Sequence, residues 1–81
     1  MRVRVIVMLK NGVLDPQGAA VHQALGAMGI AGIDGVRQGK VIELDIAQTD
    51  PAAAEATARE AADKLLVNGV IESYSIEMDE A

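Results

Sequence analysis

The chain has 81 residues, so residues 1–81 are predicted to form one domain, and a domain this small buries only about 60% of the surface that its unfolded chain exposes. Although 51% of the residues are apolar, there is no Phe or Trp and only one Tyr, which predicts an aliphatic core and an oligomer in which another chain covers part of the apolar surface. The net charge of −5 argues against nucleic acid as a partner, and the absence of cysteine excludes a disulfide framework, a thiolate nucleophile and a Cys-ligated metal site.

The first predicted element is a strand over residues 2–9. Its odd-numbered residues would form the core face, and the other face begins charged and becomes apolar toward the strand end: Arg2, Arg4, Ile6, Met8. That second face needs a cover, from a neighbouring segment or from a second subunit. The apolar run ends at Lys10 and no segment is long enough to span a membrane, so we expect no membrane partner. The missing cysteines fit a reducing compartment, and the cytoplasm is the default expectation.

A turn and a helix start follow directly. Asn11 and Gly12 favour a turn, Asp15 is placed as an N-cap, and Pro16 suits the first helical position. Val21, Ala24, Leu25 and Met28 have the spacing i, i+3, i+4, i+7 and form the apolar stripe of the predicted helix. Gly29 is placed to end that helix.

The middle of the chain predicts a β-hairpin. Residues 30–37 are interpreted as a glycine-punctuated lead-in and a short strand, and Gln38-Gly39-Lys40 as a tight connection into a strand over residues 41–46. In that second strand Ile42, Leu44 and Ile46 should face the core, with Glu43 and Asp45 facing out.

The last third predicts a helix and a strand. Asp50-Pro51 repeats the helix start before an alanine-rich run to Leu66, whose inward stripe is expected to include Leu65, and residues 70–77 give a final strand. The predicted fold is therefore α+β, a two-layer β-α-β-β-α-β domain with a four-stranded antiparallel sheet and two helices on one face.

The chain has few side chains of the types that usually act in catalysis. There is one histidine, His22, placed on a helix surface, and there are no nucleophile or metal-ligand motifs, so we expect no catalytic, cofactor-binding or metal-binding residue. Arg37 and Lys40, with Lys10 nearby, could form a cationic site for a phosphate or for a partner's carboxylate, or simply be a solvated hairpin end.

Several segments, in order and over nearly the whole chain, resemble the PurS family, the small subunit of phosphoribosylformylglycinamidine (FGAM) synthase. The resemblance is carried by Arg2-Val3-Arg4-Val5, Leu9-Lys10-Asn11-Gly12-Val13-Leu14-Asp15-Pro16-Gln17-Gly18, Val36-Arg37-Gln38-Gly39-Lys40, Ile42-Glu43-Leu44, Leu65-Leu66-Val67-Asn68 and Val70-Ile71-Glu72.

The resemblance implies a non-catalytic subunit of an enzyme complex. In that family the small subunit forms a homo-oligomer, a dimer or a tetramer, and joins the synthetase subunit PurL to the glutaminase subunit PurQ. The complex makes FGAM from formylglycinamide ribonucleotide (FGAR), glutamine and ATP. The ATP and magnesium belong to the synthetase subunit, and the small subunit is expected to support the passage of ammonia.

Two other readings remain open on the residues alone. A small ligand-binding regulatory module of the ACT type shares the order of strands and helices. An acylphosphatase-like enzyme requires an arginine in a phosphate-binding loop after the first strand, where this chain has Lys10.

The opening loop and the hairpin end hold the candidate partner contacts. The second Asp-Pro helix start lacks the residues that surround the first, so those residues exceed what helix capping requires. The candidates are Val13, Leu14, Asp15, Gln17, Arg37 and Lys40.

Overall fold

A computed structural model describes residues 1–79. Its elements are β1 (Arg2–Leu9), α1 (Pro16–Ala27), β2 (Gly39–Asp45), α2 (Pro51–Ala61), which continues as a π-helical turn over Ala62–Leu66, and β3 (Glu72–Asp79). The three strands form one antiparallel sheet in the order β2-β1-β3. No helix within this part of the chain is long and apolar enough to cross a membrane.

The core lies between β1 and α2. Val3, Val5 and Val7 are buried, as the alternation in the sequence predicts, and in β2 Ile42 and Leu44 pack against the same core. From the helix, three small side chains four residues apart meet the valines: Ala54, Ala58, Ala62. Because alanine adds little bulk, α2 packs closely on the central strand and on β3.

The opposite face of the sheet is open and has two halves. At one end Arg2 and Arg4 pair with acidic residues of the neighbouring strands, at distances of 3.4–3.8 Å: Glu43, Asp45, Asp79. At the other end Ile6 lies opposite Val41 and Ser75. The predicted sharing of this face by charged and apolar residues is confirmed.

The fold differs from the prediction in its fourth strand and in the place of the first helix. Among residues 1–79 the sheet has three strands, because residues 30–38 form no ladder and instead run back along α1. His22 Nε2 lies 2.9 Å from the carbonyl oxygen of Ile33, and the backbone N–H of Gln38 is bound by Asp15. The helix itself makes hardly any contact with the sheet, and Gly18 is its one buried residue.

Two boundaries also differ. Leu65, expected to face inward, is 84% exposed, because the π-helical turn, closed by the bond from the N–H of Val67 to the carbonyl of Ala62, changes the phase of the helix. The last strand begins at Glu72 rather than two residues earlier, since the carbonyl of Asn68 accepts hydrogen bonds from the N–H groups of Ile71 and Glu72 and forms a turn there.

The outcome is an elongated molecule. Its extents are 48 × 30 × 14 Å and its radius of gyration is 15.9 Å, against about 12 Å for a compact chain of this length. We call residues 16–38, which comprise α1 and its return segment, the arm.

Candidate functional site

The loop between β1 and α1 is anchored to the far end of the chain. The backbone N–H of Lys10 donates to the carbonyl of Ile71 at 2.8 Å, and its ammonium donates to the carbonyl of Gly69 at 2.7 Å. Gly12 has a φ of +85°, a conformation that glycine adopts without strain, and lets the chain reverse here. These contacts hold the loop in one place beside the sheet.

Asp15 ties the two ends of the arm together. One carboxylate oxygen caps α1 by accepting from the N–H of Gly18 at 2.8 Å, and the other accepts from the N–H of Gln38 at 2.9 Å. These bonds, first that from Gln38 and then that from Gly18, lower the pKa of the Asp15 carboxyl below its ordinary value, and the charge of Arg37 contributes in the same direction. Asp50, the N-cap of α2, makes no such side-chain bond.

Gly18 is required by close approach of the backbone. A Cβ at this position would lie 2.4 Å from Oδ2 of Asp15 and 2.6 Å from the carbonyl oxygen of Val36. Next to it, the amide of Gln38 donates to the amide oxygen of Gln17 at 3.2 Å. The residues around the Asp15-Pro16 helix start are more than a helix cap requires, and the closure of the arm explains part of them.

The predicted cationic site is not assembled as expected. The guanidinium of Arg37 donates to the backbone carbonyl of Leu9, and Lys10 is held by Gly69. Two of the three cationic side chains are therefore engaged with backbone carbonyls, and Lys40 is exposed.

A cleft of about 350 Å³ opens where the arm meets the sheet. Its floor is apolar and its rim carries two acids, two amides and one amine, and the residues that line it are Val7, Leu9, Asp15, Pro16, Gln17, Gln38, Gly39, Lys40 and Glu72. Three of the candidate contacts, Asp15, Gln17 and Lys40, meet in this cleft. Its apolar floor and polar rim suit the binding of a polar segment of another chain.

Leu14 has no role in the fold of the single chain. Its side chain is 79% exposed at the rim of the loop, whereas its neighbour Val13 is half-buried. Leu14 is thus accessible on a loop that hydrogen bonds hold in place, so it stays a candidate for contact with another protein. Of the candidates, Asp15 and Arg37 hold the loop and arm in position, and Val13, Leu14, Gln17 and Lys40 form the surface around them.

Sequence reasoning missed Gln38, which closes the arm through both its backbone and its side chain. Its place in a predicted hairpin turn gave no signal of that role. No group of three or more His, Cys, Asp or Glu side chains within residues 1–79 is arranged to hold a metal ion.

The chain is similar to known proteins over nearly its full length. A sequence family described as phosphoribosylformylglycinamidine (FGAM) synthase, PurS, matches residues 2–80. The PurS subunit of phosphoribosylformylglycinamidine synthase from Bacillus subtilis is 44% identical over 79 residues, which cover 98% of this chain and 93% of that protein. The corresponding subunit from Mycobacterium leprae is 45% identical over 75 residues, covering 93% and 91%.

Solved structures agree with the sequence relatives. The crystal structure of PurS from Methanocaldococcus jannaschii has a TM-score of 0.89 at 30% identity and covers 99% of this chain and 96% of that one. A chain in the structure of PurLQS from Thermotoga maritima has a TM-score of 0.87 at 26% identity, covering 94% and 93%.

Proposed function

The chain belongs to the PurS family, as a subunit of phosphoribosylformylglycinamidine synthase in purine biosynthesis, and we propose that within this enzyme it bridges the synthetase subunit PurL and the glutaminase subunit PurQ. PurQ releases ammonia from glutamine, and PurL uses it with ATP and magnesium to convert FGAR to FGAM. The chain supports ammonia transfer by keeping the two subunits together. Family membership decides against the regulatory-module alternative.

A non-catalytic role is consistent with the side chains available. The single histidine is exposed and engaged with the carbonyl of Ile33, and the described residues 1–79 lack a metal-ligand cluster. As the family resemblance implies, we propose that ATP and magnesium act at PurL. As a subunit of a biosynthetic ligase, the chain is assigned to the cytoplasm.

One observation carries the bridging role, the separation of two interaction surfaces on a molecule only 14 Å thick. The first surface is the cleft and loop around Leu14, where Val13, Gln17 and Lys40 are placed for contact. The second is the open sheet face, charged at one end and apolar at the other. A thin subunit with two distinct faces can touch two partners at once.

The chain is also proposed to act as a homo-oligomer. Nine large apolar side chains are at least 37% exposed, more than a monomer with so few large residues should leave in water. The four-stranded sheet with two helices on one face is then expected of the oligomer rather than of one chain.

The test is a rate measurement with PurL and PurQ from the same cell. We expect glutamine-dependent synthesis of FGAM to require this chain, because ammonia made by PurQ must reach PurL. Synthesis from added ammonium salt is the matched control and should need the chain far less. Equal glutamine-dependent rates with and without the chain would refute the bridging role.

A further inference from the structure

We propose that the free edge of β3 binds an extended, basic segment of a partner subunit, which adds to the sheet as a further strand and places a lysine or arginine side chain beside α2. The proposal rests on the bridging role proposed above and specifies how the chain holds one of its two partners, PurL or PurQ.

The backbone groups on the outer side of β3 can be identified from the pairing of the strands. The N–H of Lys10 donates to the carbonyl of Ile71 at 2.8 Å, so these two residues form a hydrogen-bonded pair of the antiparallel ladder. Such pairs alternate along a ladder, and the odd-numbered residues of β3 therefore bond to β1. The even-numbered residues after Glu72 direct their N–H and C=O groups outward, where no strand within residues 1–79 meets them: Tyr74, Ile76, Met78.

β3 lacks the features that ordinarily keep an edge strand from pairing with another chain. It is 8 residues long, and its sequence, ESYSIEMD, contains neither Lys nor Pro. Its register with β1 runs from Glu72 to Asp79 without a bulge. Natural proteins protect their edge strands by lysine, proline, a bulge or short length. A long and regular edge without them suits the addition of a strand from another protein.

The charges of β3 select against a second copy of the same strand. Its charged residues are all acidic: Glu72, Glu77, Asp79. Full-length antiparallel pairing with another β3 would place Glu72 opposite Asp79, and like charges opposite each other destabilise a strand pair. A strand that carries basic side chains would be attracted instead.

A cleft of about 410 Å³, which we call the β3 cleft, lies between α2 and the start of β3. Arg59 lines it, but its guanidinium pairs with Glu55 at 2.8 Å. Two carboxylates line it as well: that of Asp63 accepts from the hydroxyl of Tyr74 at 2.9 Å, and that of Glu72 accepts from a backbone N–H. Neither carboxylate pairs with a cation among residues 1–79. The β3 cleft therefore suits the side chain of a lysine or an arginine.

The free edge and the β3 cleft meet at Tyr74. Its backbone groups lie on the outer side of β3, and its side chain lines the cleft. Residues opposite each other in paired strands project to the same face of the sheet. The partner residue that pairs with Tyr74 would therefore project toward α2 and into the β3 cleft.

The test follows backbone hydrogen exchange in the ¹⁵N-labelled chain, alone and in complex with PurL, with PurQ or with both. We expect the N–H groups of Tyr74, Ile76 and Met78 to exchange quickly in the chain alone at every concentration, and about tenfold or more slowly in a complex. The N–H groups of Ser73 and Ser75 already bond to β1 and should be protected in every sample. Protection of the outer groups in the chain alone would assign the edge to a second copy and overturn the proposal. The absence of new protection in all three complexes would overturn it as well.

A matched pair of variants tests the β3 cleft. Asp63→Asn keeps an oxygen that can accept from Tyr74 but removes a charge, and at low salt it should raise the Kd for the partner that protects β3 by about three- to tenfold. Glu60→Gln removes a charge from the exposed side of α2, where Glu60 pairs with Lys64 at 2.7 Å, and should leave that Kd unchanged. Equal effects of the two substitutions would contradict a cation in the cleft. Failure of these experiments leaves the glutamine-dependent rate as a separate test of the bridging role.

Discussion

Asp15 and Gln38 are 23 positions apart, and a hydrogen bond of 2.9 Å joins the carboxylate of the first to the backbone N–H of the second. The same carboxylate caps α1 through Gly18. One side chain therefore defines where the arm leaves the sheet and where it returns. The exposed loop that carries Leu14 lies immediately before it, so the position of this candidate contact surface depends on that bond.

Removing the Asp15 carboxylate should destabilise the protein more than removing the equivalent carboxylate of α2. Asp15→Ala loses an N-cap bond and the closure of the arm, and we expect the melting temperature to fall by about 5–10 °C. Asp50→Ala is the matched control, because the Asp50 side chain makes no capping bond, and its melting temperature should stay within about 2 °C of the parent. Thermal melts at one chain concentration would show the difference, and equal shifts would contradict the assigned role of Asp15.

Two glycines of α1 should respond to alanine with opposite signs. Gly18→Ala should lower the free energy of unfolding by at least about 1 kcal/mol, since its Cβ would overlap the Val36 carbonyl and the Asp15 carboxylate. Gly26→Ala meets nothing within 4 Å and should raise the free energy of unfolding by about 0.5–1 kcal/mol through helix propensity. Urea titration measures both, and a stabilising Gly18→Ala would show that the arm does not close as described.

Leu14→Ala should separate assembly from stability. Because Leu14 is 79% exposed, its truncation should change the free energy of unfolding by no more than about 0.5 kcal/mol. The glutamine-dependent rate of the reconstituted enzyme at limiting chain should nevertheless fall by about tenfold, as expected for an interface anchor worth about 1–2 kcal/mol. Leu65→Ala, at a side chain 84% exposed on the π-helical turn, is the control and should leave that rate unchanged. An unaltered rate with Leu14→Ala would remove this loop from the contact surface.

The contribution of Asp15 should depend on pH in a defined direction. Its pKa in the folded chain is lowered from 3.8 by the N–H groups of Gln38 and Gly18, so folding favours the charged carboxylate. The stabilisation is then fully present above the unfolded pKa and is lost as the pH falls through the lower folded pKa. The difference in unfolding free energy between the parent and Asp15→Ala, measured from pH 7 to pH 2, should be constant above about pH 5 and shrink below pH 4. A difference that grew on acidification would contradict the hydrogen-bonding account.

Local patterns in the sequence predicted what local physics decides. The alternation of Val3, Val5 and Val7 predicts the buried face of β1, and the i, i+4 spacing of Glu55 and Arg59 predicts the 2.8 Å ion pair that forms. The Asp15 cap followed from the same kind of reasoning. These features need only neighbouring residues or the period of one element.

The features that were not predicted depend on contacts between distant residues. The hydrophobic stripe of α1 indicates a face to be buried but does not specify which surface buries it, so the helix was expected on its own sheet. Residues 30–38 likewise have a sequence that predicts a strand, but a strand needs a neighbouring strand to pair with. Within the chain these residues lie along α1 instead. Leu65 was misplaced because a one-residue change of helical phase has no signal in the periodicity.

The candidate contact residues were likewise predictable only in part. The sequence showed that the segment from Val13 to Gln17 exceeds a helix start, and the structure brings Asp15, Gln17 and Lys40 to one cleft. It could not show that Arg37 would be engaged by the carbonyl of Leu9, or that Gln38 would close the arm, because both depend on how the return segment packs.

The central claim, that this chain joins PurL to PurQ, is tested most directly by sedimentation of the two subunits with and without it. We predict one species containing all three proteins when the chain is present, and separate PurL and PurQ when it is absent. Association of PurL with PurQ to the same extent without the chain would contradict the claim.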